Sequence, residues 1–240
     1  MNAPVVTPAV LKLLASLPAC ARDTAPLAAG TVRYPGQPFG DEADGDAWEA
    51  WITGPVPDVL TATGGGAPTV QGAFGTEFFK YFVYGDSAWR YVGYDLSRAA
   101  RDGAKVDSIV SATDPDLSAF RARGGKLLLA HGWSDPALNA RATIEYFNAV
   151  QARTPQAASF TRLFMMPGVL HCAGGSGCDE VDWVGTIRRW VEAGEAPSRI
   201  VARKERDGKV VKTHPLCAYP TTARYNGTGN TDDAAAFTCR

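Results

Sequence analysis

The sequence predicts an α/β fold built on a strand, helix, strand crossover, and three stretches carry that prediction. Lys126-Leu127-Leu128-Leu129-Ala130 is a short apolar run set between Gly124-Gly125 and the turn-forming His131-Gly132-Trp133-Ser134-Asp135-Pro136, the pattern of a buried strand. From about Ala137 to Val150, apolar groups at Ala142, Ile144, Tyr146, Phe147 and Val150 recur mostly at three- and four-residue spacings, which predicts an amphipathic helix. Phe160-Thr161-Arg162-Leu163-Phe164-Met165-Met166 is a second strand, ended by Pro167-Gly168 and followed by Val169-Leu170-His171-Cys172.

A crossover of this length makes the two strands parallel, so the loops at their carboxyl ends leave from one rim of the sheet. Asp135 follows the first strand and His171 the second. That is the acid-then-histidine order of an α/β-hydrolase triad, in which the serine comes earlier in the chain. The carboxylate would hold one imidazole tautomer and leave the other ring nitrogen to act as a base toward a hydroxyl. Taken singly, an Asp in a turn is usually a turn former and a lone His usually structural. It is their joint placement that points to chemistry.

The other elements follow in chain order. Ala9 to Cys20 is an apolar patch interrupted by Lys12, with no basic stretch before it, so it makes a poor signal peptide and a weak lipoprotein site. An amphipathic helix, or a start inside a longer reading frame, is expected instead. From about Thr31 to Thr113 the chain is rich in Gly, Pro and aromatics. Tyr34 to Gly40 is a turn cluster, Ala47 to Ile52 a possible short helix, and Gly64-Gly65-Gly66 a flexible loop. Phe74, Phe78, Phe79, Tyr81, Phe82 and Tyr84 form an aromatic set at largely helical spacing, which predicts core. Asp114-Pro115 predicts an N-cap with proline in the first turn, about two helical turns to Arg123, and a left-handed stop at Gly124. A boundary near residue 112 follows, dividing the chain into 1–112 and 113–240. Val181 to Ala193 predicts a closing helix that packs Val181, Val184, Ile187, Trp190 and Val191 on the sheet and stops at Gly194.

Composition narrows the function classes. At 45% hydrophobic and 20% charged residues over 240 positions, the chain can bury a real core and has no mark of disorder. Lys plus Arg number 24 against 25 Asp plus Glu, so no basic footprint for nucleic acid or an anionic membrane is present. No apolar run reaches the length of a membrane span. Five cysteines, at 20, 172, 178, 217 and 239, form no zinc-like spacing, which disfavours a metal.

Asp116 to Lys126, His131-Gly132-Trp133-Ser134-Asp135-Pro136, Arg162-Leu163-Phe164, Pro167-Gly168, His171-Cys172, Gly174-Gly175, Trp190 to Pro197, Pro215 to Pro220 and Ala223-Arg224-Tyr225 together resemble the tannase and feruloyl esterase family, which also holds a mono-ester hydrolase of terephthalate. The resemblance covers the chain from about Tyr34 to Cys239. It implies the carboxyl-terminal part of an α/β-hydrolase fold with a partial lid region in 1–112, and the hydrolysis of aromatic esters with Asp135 and His171 as catalytic residues. A minority of the lid aromatics would then face an aromatic acyl group. Trp133, beside the acid loop, is expected to pack rather than touch substrate.

The same resemblance implies a Cys217–Cys239 disulfide. Such a bridge would stabilise a poorly periodic tail by roughly 3 kcal/mol on the chain-entropy model and calls for an oxidising, secreted or periplasmic location. It further implies that Cys172 would bridge to a cysteine just before the nucleophilic serine. That partner has no counterpart here, so Cys172 is expected unpaired, or paired only opportunistically with Cys178 or Cys20. No Gly-x-Ser-x-Gly elbow occurs, Ser176 follows the histidine with no strand before it, and the family's calcium loop is not found, so no cofactor is expected. The chain therefore reads as a fragment that carries acid and base without the serine, is inactive alone, and needs an amino-terminal half. The alternative is a non-catalytic binding module derived from the same fold.

Overall fold

The structure is a computed structural model and describes residues 37–53 and 69–240. The patch at 9–20 and the Gly64-Gly65-Gly66 loop lie outside the described residues. The first described elements are helical. Gly45–Thr53 is a π-type turn broken at Ala47 (φ −98°, ψ −113°). Helix α1 (Val70–Phe78) starts where the Thr69 side chain accepts the Gly72 N–H. It runs straight into a π-type turn, Phe79–Tyr84, which ends at left-handed Gly85. Helix α2 (Ala99–Val110) follows.

The aromatic stripe does not form core. Phe74, Tyr81 and Phe82 are 68%, 59% and 62% exposed. The change from α to π winding breaks the predicted spacing, and the rings pack on one another instead. Phe78 stacks on Phe82 with centroids 5.5 Å apart, and Phe79 lies 5.3 Å from both Trp89 and Tyr94.

The α/β part opens with α3 (Ser118–Ala122), one residue shorter at each end than the Leu117 to Arg123 helix the sequence predicts. Asp114 does not cap it. Its carboxylate accepts the Asp116 N–H, and Asp116 accepts the Ser118 N–H, so two successive aspartate turns delay the helix start. Strand β1 (Leu127–Gly132) then pairs in parallel with β2 (Thr161–Met166), Leu127 opposite Thr161 and Gly132 opposite Met166. Between them α4 (Ala140–Arg153) begins three residues later than predicted. The Asp135 carboxylate takes up the N–H groups of Ala137 and Leu138, and only then does the Asn139 side chain cap the helix on Arg141 N–H.

Strand β2 is buried on both faces, as a parallel strand should be. Leu163 and Met165 meet Ala140 and Phe147 of α4, with Trp133 and Tyr219 at the margin, so Trp133 does pack. Phe164 and Met166 face the other way, onto Val169, Ile200, Ala202 and Leu216. Strand β1 is only half-buried, and among the described residues β2 is its sole partner strand.

Helix α5 (Trp183–Ala193) starts on Asp182, whose side chain accepts the Gly185 N–H, and ends at left-handed Gly194. Its packing face differs from the predicted one. Trp190 and Thr186 are buried, whereas Val184 and Val191 are 77% and 60% exposed. Trp190 lies under the cations of Arg162 and Lys126, at 5.1 and 5.7 Å, and this large ring sets the helix rotation.

Strands β3 (Arg199–Arg206) and β4 (Lys209–Cys217) form a hairpin through Asp207-Gly208, both with positive φ. The sequence reading overlooked it, although Asp-Gly between strand-forming runs is a strong hairpin signal. Beyond Cys217, Tyr219 N–H donates to Leu163 O, covering the outer edge of β2. Short strands β5 (Ala223–Tyr225) and β6 (Phe237–Cys239) pair antiparallel, and a Cys217–Cys239 disulfide ties the tail to β4. With 22 residues of sequence separation, replacing both cysteines by serine is expected to lower stability by about 3 kcal/mol. Urea unfolding of the pair variant, with and without reductant, checks this.

Candidate active site

The two loops on the sheet rim are stitched by their backbones. Trp133 N–H donates to Met166 O and Ser134 N–H to Val169 O, at 2.9 and 3.1 Å. Gly132 makes this approach possible, because a Cβ there would sit 2.2 Å from Val169 O and 2.6 Å from Leu170 O. The histidine loop folds back through Cys172 (φ 67°) and Gly174-Gly175 (φ 85° and 77°). A Cβ on Gly175 would lie 2.4 Å from Gly168 O, so the quoted Gly-Gly pair answers a steric demand.

Asp135 and His171, placed on one rim by the sequence, meet there. His171 Nδ1 lies 3.0 Å from Asp135 Oδ2. The acid is buried and the imidazole side chain is 35% exposed, which leaves the ring's far nitrogen open to incoming groups. Asp135 Oδ1 accepts the N–H groups of Ala137 and Leu138 at 2.8 and 2.9 Å, and Oδ2 also lies 3.2 Å from His131 Nε2. The arrangement can orient an imidazole and stabilise its protonated form.

Burial alone would raise the Asp135 carboxyl, but hydrogen bonds from His131, His171 and the two backbone N–H groups outweigh it and bring it down to about 2. A carboxyl depressed in the folded state contributes stability that is present above its unfolded value, roughly 3.9, and is lost as pH falls through the folded one. Wild-type chain is therefore expected to lose on the order of 2 kcal/mol between about pH 4 and pH 2 from this group. Asp135→Asn should lack that portion of the decline, read by urea unfolding across a pH series.

A cleft of ≈ 530 Å³ opens beside His171, lined by Trp51, Gln71, Phe74, Ala137 and Leu138. The Trp51 ring stands edge-on to the imidazole at 5.4 Å and lies parallel to Phe74 at 6.3 Å. Gln71 Nε2 donates to Pro136 O and Ala137 O, at 2.8 and 3.2 Å, and so pins α1 to the acid loop. None of these three was singled out from sequence as part of the site. The spacing predicts core for most of the aromatic set that includes Phe74 and leaves open which minority faces an acyl group, and no local pattern connects Trp51 with a loop more than eighty residues later.

The loop hydroxyls point elsewhere. Ser134 Oγ donates to Asp41 Oδ2 at 2.6 Å and Ser176 Oγ to Asp41 Oδ1 at 3.1 Å, and among the described residues no hydroxyl hydrogen-bonds His171. Cys172 is an exposed free thiol and Cys178 a buried one whose pKa burial pushes up. Cys20 lies outside the described residues. Among the described residues no group of three or more His, Cys, Asp or Glu is placed to hold a metal ion.

Comparison with known proteins gives a consistent answer. A family model described as tannase and feruloyl esterase matches residues 4–240. The mono(2-hydroxyethyl) terephthalate hydrolase of Piscinibacter sakaiensis is 47% identical over 131 residues, 53% of this chain and 22% of that protein. Feruloyl esterase B of Aspergillus niger is 30% identical over 229 residues, 88% of this chain and 41% of that protein. The crystal structure of feruloyl esterase B from Aspergillus oryzae superimposes with a TM-score of 0.78 at 25% identity, over 98% of this chain and 46% of that one. The chain spans less than half the length of these relatives.

Proposed function

The chain belongs to the tannase and feruloyl esterase family, and from that premise we propose that it carries the acid and base of a carboxylic ester hydrolase acting on aromatic esters. The observation that carries this reading is the buried Asp135 carboxylate 3.0 Å from His171 Nδ1, at the mouth of a cleft walled by Trp51 and Phe74.

In this mechanism Asp135 holds His171 with its proton on Nδ1, so Nε2 is free to take a proton. The proton comes from a serine hydroxyl supplied by an amino-terminal half, as its oxygen attacks the ester carbonyl. His171 then returns the proton to the departing alcohol. A water molecule, activated the same way, cleaves the acyl-serine and releases the acid. The cleft lined by Trp51, Phe74 and Leu138 suits an aromatic acyl group, because ring faces reward stacking. Residues 1–112 serve as the lid part and 113–240 as the α/β part. The edge of β1 that has no partner strand among the described residues is where further strands supplied by an amino-terminal half would pair. Residence in an oxidising compartment is supported by the Cys217–Cys239 bridge.

The test is ligand binding by the chain itself. Ferulate and benzoate are expected to shift the His171 imidazole resonances and quench tryptophan emission, while acetate does neither. Trp51→Ala should weaken aromatic binding by about tenfold, the scale of one stacking contact with its buried area. If acetate acts as ferulate does, the aromatic substrate class is wrong.

A further inference from the structure

The pairing of a triad acid with its base explains one imidazole on Asp135, yet two imidazoles reach the same carboxylate oxygen. His131 Nε2 lies 3.2 Å from Asp135 Oδ2 and 3.1 Å from Leu138 O, and its Nδ1 lies 2.7 Å from Thr143 Oγ1. The tautomer follows from the partners. A carbonyl oxygen and an ionised carboxylate only accept, so Nε2 must carry the hydrogen. The Thr143 hydroxyl, which can donate or accept, occupies Nδ1. His131 is thereby an oriented donor with both nitrogens used. Its side chain is 10% exposed, which keeps water from substituting for it.

Resting on the reading that Asp135 and His171 act as a pair, we propose that His131 is a positioning residue that locks the Asp135 carboxylate so that Oδ2 holds His171 in its Nδ1–H form. Oδ1 is fixed by two backbone N–H groups of the acid loop. The carboxylate is planar, so both oxygens turn together about the bond between Cβ and the carboxyl carbon, and a second hold at Oδ2 resists the turn that would stretch those two bonds. His131 supplies that second point. Thr143 belongs to α4, so the crossover helix braces His131 and, through it, the acid. The arrangement links helix packing to the tautomer of the base.

The readout is the tautomer of neutral His171, measured by long-range ¹H–¹⁵N correlation on the imidazoles of the 240-residue chain. Wild type is expected to be Nδ1–H at His171, against the preference of free histidine for Nε2–H. In His131→Phe, which keeps a ring and removes both nitrogens, the Nδ1–H to Nε2–H ratio should fall about tenfold, the effect of one charge-assisted hydrogen bond. His131→Gln, which returns an N–H near the Nε2 position, should restore most of it. If His131→Phe leaves the ratio unchanged, or His131→Gln fails to restore it, the positioning role is overturned while the Asp135–His171 pair stands. If wild-type His171 is already Nε2–H, the pair itself fails and this proposal fails with it. Should His131→Phe lose its dispersed amide spectrum, Thr143→Val decides the matter. Freeing Nδ1 should lower the same ratio, and no change would overturn the proposal.

Discussion

The 240-residue chain is expected to hydrolyse methyl ferulate and p-nitrophenyl acetate no faster than its own His171→Ala variant. A base lowers the barrier only when a hydroxyl lies within hydrogen-bond reach of it and donors stand where the oxyanion develops. Asp135 and His171 are correctly related, but Ser134 and Ser176, the hydroxyls of the two site loops, both donate to Asp41. A triad lacking its nucleophile loses roughly a millionfold in turnover, and what remains does not depend on the other members. Steady-state assays of both proteins, with substrate carried to saturation, provide the check. Saturable hydrolysis that vanishes in His171→Ala would show that a serine leaves Asp41 for the imidazole, and Ser134→Ala and Ser176→Ala would then identify it. Aromatic binding without turnover agrees with the proposed acid and base lacking a nucleophile, and equally with a module that kept the cleft alone. Adding a polypeptide that contains a Cys-Ser elbow separates these, since only the former gains activity.

The second large effect is expected at Gly132. A methyl group there would press on the carbonyl oxygens of Val169 and Leu170 at 2.2 and 2.6 Å, and backbone atoms cannot step aside as the end of a side chain can. Gly132→Ala must therefore separate the acid loop from the histidine loop or open the end of the β1–β2 pair. The cost should reach about 3 kcal/mol or more, the upper end of overpacking penalties. A matched Gly103→Ala, on exposed α2 where a Cβ meets nothing within 4 Å, is expected to be neutral or slightly stabilising. Urea midpoints of the two variants give the comparison. In Gly132→Ala the His171 tautomer should also move toward that of free histidine, because the loops that bring Nδ1 to Asp135 would no longer meet.

Much of the α/β part was legible because its signals are local and strong. Apolar runs bounded by Gly and Pro mark β1 and β2, and three- and four-residue spacing marks α4. The boundary errors share a cause, which is that aspartate side chains compete for the N–H groups at helix starts. Asp135 takes the N–H groups that a helix from Ala137 would have begun with, and Asp114 and Asp116 spend theirs on turns before α3. The missed β3–β4 hairpin is of another kind. Asp207-Gly208 was readable, and only the length and charge of the flanking strands hid it.

By itself, the sequence determined the crossover, the order of acid and base, and their common rim, because a parallel strand pair leaves little freedom over where its carboxyl-end loops emerge. Tertiary structure alone decided what surrounds them. Which way the aromatic stripe faces, that Trp51 stands beside His171, that Asp41 claims both loop serines and that His131 backs Asp135 all depend on contacts set by packing rather than by local pattern. Periodicity records which side chains share a face of one element; it holds no information on which other element that face will meet, and an amphipathic stripe is equally content against a sheet, against its own neighbours or beside a cleft.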